Sequence, residues 1–159
     1  RFRAHSMADP DLYRAKGEMI ATAESCTGGL IVATLTEIAG SSDVVDRGFV
    51  TYSNGAKHDL IGVPEALLAA HGAVSAEVAE AMVRGALARS AADAAIAVTG
   101  IAGPGGATAT KPVGLVYLAV QHRNGKLIVE QRVFAGDRAS VRLATVARAF
   151  DLLEQAINA

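Results

Sequence analysis

Apolar residues recur along this chain in two rhythms, short runs of β-favouring types and longer stretches stepped by three and four residues, and the two alternate. The run Met19-Ile20-Ala21 leads through Ala23-Glu24-Ser25-Cys26-Thr27-Gly28-Gly29 into Leu30, Ile31, Val32, Leu35 and Ile38. That order predicts strand, tight turn and a helix of roughly 10 residues, beginning near Thr27 or Gly28 and stopping at Gly40. A second strand is expected over Arg47 to Tyr52, then a helix capped by Ser53-Asn54 and running through Leu60. Pro64 at a first helical position opens another helix, ending near His71-Gly72. Ser75 caps an amphipathic helix with Val78, Ala79, Met82, Val83 and Leu87 on one face, ending near Ser90.

Ala94 to Val98 is a continuous apolar run, the mark of an interior strand covered on both faces. Glycine and proline exclude regular structure from Ile101 to Pro112. Val113 to Gln121 and Leu127 to Phe134 flank Arg123-Asn124-Gly125-Lys126, where Asn124-Gly125 suits a type I′ hairpin turn. The last helix follows Asp137 and carries Val141, Leu143, Val146, Phe150, Leu153 and Ile157. Near the start, Asp9 and Pro10 suit the N-cap and first position of a short helix. The alternation argues an α/β fold, a mixed sheet between two helical layers. Ligands of such sheets sit beyond strand C-termini, so Ser25, Tyr52 and Thr99, each at such an end, are expected to converge.

At 159 residues, 51% of them of hydrophobic types, the chain can bury one sizeable core, which argues a single domain over 7–159. Residues 1–6 lack an apolar stretch and read as an added leader ahead of Met7. A formal charge of −1 without a Lys/Arg run gives no footprint for nucleic acid or a membrane surface. The single cysteine excludes an internal disulfide framework, which suits the cytoplasm. His5, His58, His71 and His122 show no ligand spacing, so neither a metal nor another cofactor is expected.

Three pieces of chemistry remain. The helix after Gly29 would turn unpaired N–H groups toward an anion, with Ser25, Thr27, Gly28 and Gly29 allowing close approach. Glu24 could instead orient the loop amides. Cys26, at a helix N-terminus, is one candidate nucleophile. Ser42 with Lys57 is its rival, because a lysine in a water-poor cleft sheds its proton and can serve as base; Tyr52, between them in sequence, could pass a proton.

The runs Thr22-Ala23-Glu24-Ser25-Cys26-Thr27-Gly28-Gly29, Gly40-Ser41-Ser42, Gly48-Phe49-Val50-Thr51-Tyr52-Ser53-Asn54 with Ala56-Lys57, and His71-Gly72-Ala73-Val74-Ser75 resemble one family. So do Thr99-Gly100-Ile101-Ala102-Gly103-Pro104 with Gly106, Lys111-Pro112-Val113-Gly114, and Phe134 with Gly136-Asp137-Arg138. That family is the CinA C-terminal domain, the nicotinamide-nucleotide amidases, and the blocks cover nearly everything after residue 18 in order. The resemblance implies a three-layer α/β/α fold like anticodon-binding domains, which agrees with the mixed, mostly parallel sheet of about five strands, including one late β-hairpin, expected from the element pattern. It implies metal-independent hydrolysis of the carboxamide of nicotinamide mononucleotide to nicotinic acid mononucleotide and ammonia, and a homodimer or higher homo-oligomer.

By motif, Ser42 is then the expected nucleophile, Lys57 its base and Tyr52 the assisting phenol. Ser25, Thr27, Gly28, Gly29, Thr99, Gly100, Gly103 and Arg138 are the expected substrate residues. A non-catalytic pyridine-nucleotide module of a larger CinA-like protein is the alternative. Two departures from the family pattern stand out: the segment before the first strand is short, and Gly55 replaces a more usual acidic residue.

Overall fold

The computed structural model describes residues 11–158, so Asp9, Pro10 and the 1–6 leader lie outside the described residues. In chain order the elements are α1 (Asp11–Ala15), β1 (Ile20–Glu24), α2 (Leu30–Leu35), a 3-10 turn (Ser41–Asp43), β2 (Val45–Val50) and α3 (Asn54–Ile61). There follow α4 (Glu65–His71), α5 (Ala76–Ala88), β3 (Ala94–Gly100), β4 (Leu115–His122), β5 (Leu127–Val133) and α6 (Arg138–Asn158). The five strands form one sheet in the order β2-β1-β3-β4-β5. β1 pairs parallel with both β2 and β3, while β3/β4 and β4/β5 are antiparallel. Only β4 therefore runs against the other four, as a late hairpin inserted into a parallel arrangement requires.

Side chains alternate across each strand, and the two faces of the sheet are unlike. Ile20, Ile96, Val98, Val116, Leu118 and Val120 meet Ile31 and Leu35 of α2 and the apolar stripe of α6 in one core. Ala21, Ala23, Ala95, Ala97 and Ala119 meet Val78, Met82, Val83 and Ala86 of α5, with Ile61 and Leu68, in the other. Alanine on the second face lets α5 lie close to the strands. Gly85 extends that economy to the neighbouring helix, since a Cβ there would stand 1.9 Å from the Ile61 carbonyl oxygen.

Local chemistry explains where the elements end. Ser53 Oγ accepts from Ala56 N–H at 3.0 Å to start α3, and Ser75 Oγ accepts from Val78 N–H at 3.2 Å to start α5. α2 is shorter than its apolar spacing suggests. Gly28 and Gly29 take positive φ, 59° and 104°, so residues 25–29 form a turn and the helix begins only at Leu30. The β4/β5 hairpin also departs from expectation. Among the described residues no non-glycine has positive φ, so Asn124 cannot occupy a type I′ turn; the turn instead closes through Gly125 N–H to the His122 carbonyl at 3.0 Å, with Gly125 at φ 107°.

Gly85→Ala tests the close helix packing. Alanine favours helix by about 1 kcal/mol over glycine, but overpacking against a backbone carbonyl costs about 1–3 kcal/mol or more. The clash should win. Urea unfolding is expected to show a lower midpoint at an unchanged slope.

Candidate active site

Register decides what meets at the sheet's end. Glu24 of β1 lies opposite Val50 of β2 and Val98 of β3, so the segments leaving all three parallel strands emerge at one level. Ser25 follows β1, Thr51 and Tyr52 follow β2, and Thr99 and Gly100 close β3. As expected from the sequence, Ser25, Tyr52 and Thr99 do converge. With Cys26, Lys57, Ala73, Val74, Gly100, Ala102 and Arg138 they line a half-open pocket of about 230 Å³. A larger surface groove, about 540 Å³ between β5 and α6, is walled by charged side chains, and its Arg148 is already committed to Glu130 through two 2.7 Å bonds. Ser25, Tyr52, Lys57, Thr99, Gly100 and Arg138, all expected from the sequence, lie in the smaller space.

Lys57 is the central group. It rises from α3 into the protein, is only 1% exposed, and its amine meets three oxygens: Ser25 Oγ at 3.0 Å, Thr51 O at 2.8 Å and Tyr52 O at 3.3 Å. No carboxylate is among them. Burial therefore penalises the ammonium form, and it lowers the Lys57 pKa to about 8, against a small opposing pull from Cys26. Two of the three oxygens are carbonyls, which can only accept. A neutral amine consequently gives its two N–H bonds to Thr51 and Tyr52 and leaves its lone pair facing Ser25. The Ser25 hydroxyl has another acceptor, the Tyr52 carbonyl, but at 3.5 Å that contact is marginal. The shorter path runs to Lys57.

Ser42 does not join them. It is exposed in the 3-10 turn before β2, whereas Lys57 follows β2. Six strand residues at ~3.3 Å each put about 20 Å between the two ends. The structure thus does not bring Ser42 to Lys57, because a strand that runs between two residues separates them; the hydroxyl beside the amine is that of Ser25. Tyr52 stays at the site with an altered posture. Its ring is 61% exposed, its phenol oxygen accepts from Arg138 Nη2 at 3.3 Å, and its main-chain carbonyl, not its phenol, touches the amine.

The remaining expected residues divide. Thr99, Gly100 and Arg138 line the pocket, and Thr99 Oγ1 donates to Ala73 O at 2.9 Å, tying the α4–α5 connection to β3. Gly103 lies behind the rim, where its carbonyl accepts from Arg138 Nη1 at 2.9 Å. Thr27, Gly28 and Gly29 are not in the lining. The anion cradle expected there is filled by the protein itself: the buried Glu24 carboxylate accepts from Thr27 Oγ1 at 2.5 Å, Ile31 N–H at 2.8 Å and Val32 N–H at 3.0 Å. Glu24 orients the loop amides, and phosphate must be sought elsewhere. That leaves Cys26 without an activating helix end. Although it borders the pocket, burial pushes its thiol up to about 11, which argues against a thiolate nucleophile.

Sequence reasoning passed over Arg142, which reaches from α6 to Cys26 O (Nε, 3.2 Å) and Thr27 O (Nη2, 3.0 Å). Its placement one helical turn after Arg138 was the available signal. Among the described residues no group of three or more His, Cys, Asp or Glu is arranged to hold a metal ion, and no helix is long and apolar enough to cross a membrane.

Comparison with known proteins decides the family. Residues 6–157 match the profile of the CinA C-terminal domain. This chain belongs to that family. It is 52% identical over 130 residues to a protein named nicotinamide-nucleotide amidohydrolase PncC from Enterobacter agglomerans, covering 82% of this chain and 79% of that one. It is 54% identical over 144 residues to a CinA-like protein of Geobacter sulfurreducens, but there the match covers 91% of this chain and 35% of the relative. The chain thus spans about a third of the length of such CinA-like relatives. Among solved structures, the competence/damage inducible protein CihA from Agrobacterium tumefaciens superposes with a TM-score of 0.91 at 54% identity, covering 94% of this chain and 91% of that one. A CinA superfamily protein from Klebsiella pneumoniae 700603 gives 0.89 at 36% identity, covering 93% and 92% respectively. The fold class expected from the sequence, an α/β mixed sheet of five strands, is that of these structures.

The lysine also sets a stability signature. Its folded pKa, about 8, lies below the ordinary 10.5, so between those values the unfolded chain holds more protons than the folded one. Stability accordingly rises with pH across that window, and below it the folded state carries the full penalty of a buried cation. Lys57→Met removes the titration. The melting temperature of the variant minus that of the parent should be greatest near pH 7 and shrink steadily toward pH 10.5; a difference independent of pH would contradict a depressed lysine.

Proposed function

We propose that this chain is a nicotinamide-nucleotide amidase in which Ser25 is the nucleophile and Lys57 its base. The observation that carries the mechanism is the 3.0 Å contact between Ser25 Oγ and a buried amine with no counter-ion. The substrate follows from the PncC name borne by a relative at 52% identity. With a pKa of about 8, roughly a tenth of Lys57 is neutral at pH 7. That fraction takes the Ser25 proton as Oγ attacks the carboxamide carbon. The carbonyl oxygen gains charge and needs main-chain N–H donors. As the tetrahedral intermediate collapses, the Lys57 ammonium returns its proton to the amide nitrogen, which leaves as ammonia and leaves an ester on Ser25. Water, deprotonated by the same amine, then cleaves the ester to nicotinic acid mononucleotide and free Ser25. The sum is amide plus water to acid plus ammonia, with no metal or other cofactor in any step.

Size and charge of the pocket suit a part of such a substrate. At about 230 Å³ it is below the ~300–1,000 Å³ that usually encloses a whole ligand. The pyridine carboxamide would enter and the ribose phosphate would remain at the mouth. There Arg138, exposed at the start of α6, offers a guanidinium fork to a phosphate, steadied by Gly103 O and Tyr52. Tyr52 is thereby a wall and a tether for Arg138 more than a proton carrier. The companion reading, a nucleotide-binding module of a longer CinA-like protein, predicts binding with no ammonia. Soluble assembly as a homo-oligomer and residence in the cytoplasm are part of this proposal, as for a small-molecule metabolic enzyme.

Ammonia release from nicotinamide mononucleotide separates these readings. Ser25→Ala and Lys57→Ala should each lose at least about a thousandfold in kcat, while Ser42→Ala should retain the parent rate and added chelator should have no effect. Parent-like turnover by Ser25→Ala would remove the mechanism. In the parent enzyme kcat/KM should climb with pH along an acid limb centred near the Lys57 value of about 8, because only the neutral amine can accept the proton. A limb near pH 4 would instead point to a carboxylate base.

A further inference from the structure

Arg142 occupies a place that the reaction above leaves unexplained. It extends from α6 beneath the turn that follows Ser25 and donates to two successive carbonyls, Cys26 O at 3.2 Å and Thr27 O at 3.0 Å. Its Nη2 would lie 3.7 Å from a Cβ placed on Gly28, so the guanidinium also lies against the next residue of the turn. A cation whose hydrogen bonds among the described residues go only to main-chain carbonyls serves to fix the carbonyls' direction.

That direction has a consequence one atom further along. The only cis peptide among the described residues is Gly103-Pro104, so the Cys26–Thr27 and Thr27–Gly28 peptides are trans, and each carbonyl is antiparallel to the following N–H. With both carbonyls drawn toward α6, the N–H groups of Thr27 and Gly28 face away from it. Gly28 N–H has a partner, Ser25 O at 3.0 Å, which closes the turn. Thr27 N–H has no acceptor among the described residues, although Thr27 is fully buried and its hydroxyl is satisfied by Glu24. The N–H of Cys26, whose residue lines the pocket, is directed by the Ser25 carbonyl and lies against its own thiol. A buried main-chain donor without an acceptor is rare, and Thr27 stands two residues after the proposed nucleophile, behind the part of the turn that faces the pocket. Glu24 holds the far end of the same turn through Ile31 and Val32. The turn is gripped at both ends, by an anion on its N–H side and a cation on its C=O side.

We infer that Arg142 is a positioning residue for catalysis: by holding the Cys26 and Thr27 carbonyls toward α6 it fixes the turn that presents Ser25 and the Cys26 main chain to the substrate carboxamide. The role rests on the Ser25–Lys57 reading and adds to it a residue that touches neither substrate nor the reacting atoms. Its effect falls on the transition state, where the oxygen is charged, and little on the ground state, where it is a neutral carbonyl.

Two measurements test the inference, one with the proposed substrate and one without. In ammonia release, Arg142→Met should lower kcat by about 10–100-fold, the size of effect typical of a lost orienting partner and less than removal of an oxyanion donor outright, while KM stays within about twofold. Arg142→Lys, keeping the charge but only one point of attachment, should fall between. Labelling of Ser25 by a fluorophosphonate needs the same turn geometry and no nucleotide, and should slow in parallel. Melting temperatures of both variants report whether the fold is intact. Parallel losses in kcat and labelling, with KM and the melting temperature of Arg142→Lys near the parent values, support the role. Parent-like kcat or labelling in both variants, or a loss that only tracks a fall in melting temperature, overturns it. Failure of the parent protein to be labelled, or equal labelling of Ser25→Ala, overturns the Ser25–Lys57 reading first and this inference with it.

Discussion

The arrangement depends on a single unfavourable act, the removal of a lysine amine from water without giving it a counter-ion. An exposed lysine at the start of a short helix would be an ordinary cation, and the oxygens that surround Lys57 would not by themselves alter that. What changes its chemistry is that all three partners are neutral and the amine is buried. The cost of burying the charge is transferred into a usable lone pair. Two carbonyls occupy the N–H bonds, and the third direction is left to the serine.

This requires the sheet to deliver three strand ends to one level, which parallel pairing of β2, β1 and β3 does through the shared register at Glu24. Glu24 itself then works twice, as the last residue of the strand and as the acceptor that ends the free N–H groups of α2. The result is a turn whose ends are fixed by opposite charges, with the reactive hydroxyl at its head. The two faces of the sheet share the labour: branched side chains support α2 and α6, which carry the turn and Arg142, and small ones let α5 approach and close the opposite side.

Much of the fold was legible because it is written in periodicity. The apolar run at Ala94–Val98, the caps at Ser53 and Ser75 and the stripe of the last helix each specify an element by local physics. The site was legible at the level of strand ends for Ser25, Tyr52 and Thr99, while Lys57 stood out as a possible base and Arg138 only through the family resemblance. The choice between Ser25 and Ser42 was not, since both are hydroxyls near glycine turns and nothing in spacing along the chain says which lies beyond the same end of β2 as Lys57. It is the direction of the strand that sets Ser25, and not Ser42, beside Lys57. Two smaller misreadings share a cause, backbone dihedrals that composition does not reveal: Gly28 and Gly29 delay the start of α2, and Gly125 alone takes the left-handed position expected of Asn124 as well.

The serine and the lysine come from segments 32 residues apart, joined only through strand order and not through any local motif. Reactivity is therefore a property of the assembled sheet. A chain in which β2 or α3 has frayed would expose the amine, restore its ordinary basicity and fall silent, while keeping most of its helices. Under the proposed mechanism the protein would carry its own safeguard against half-formed catalysts, since water reaching one nitrogen atom would be enough to switch the chemistry off.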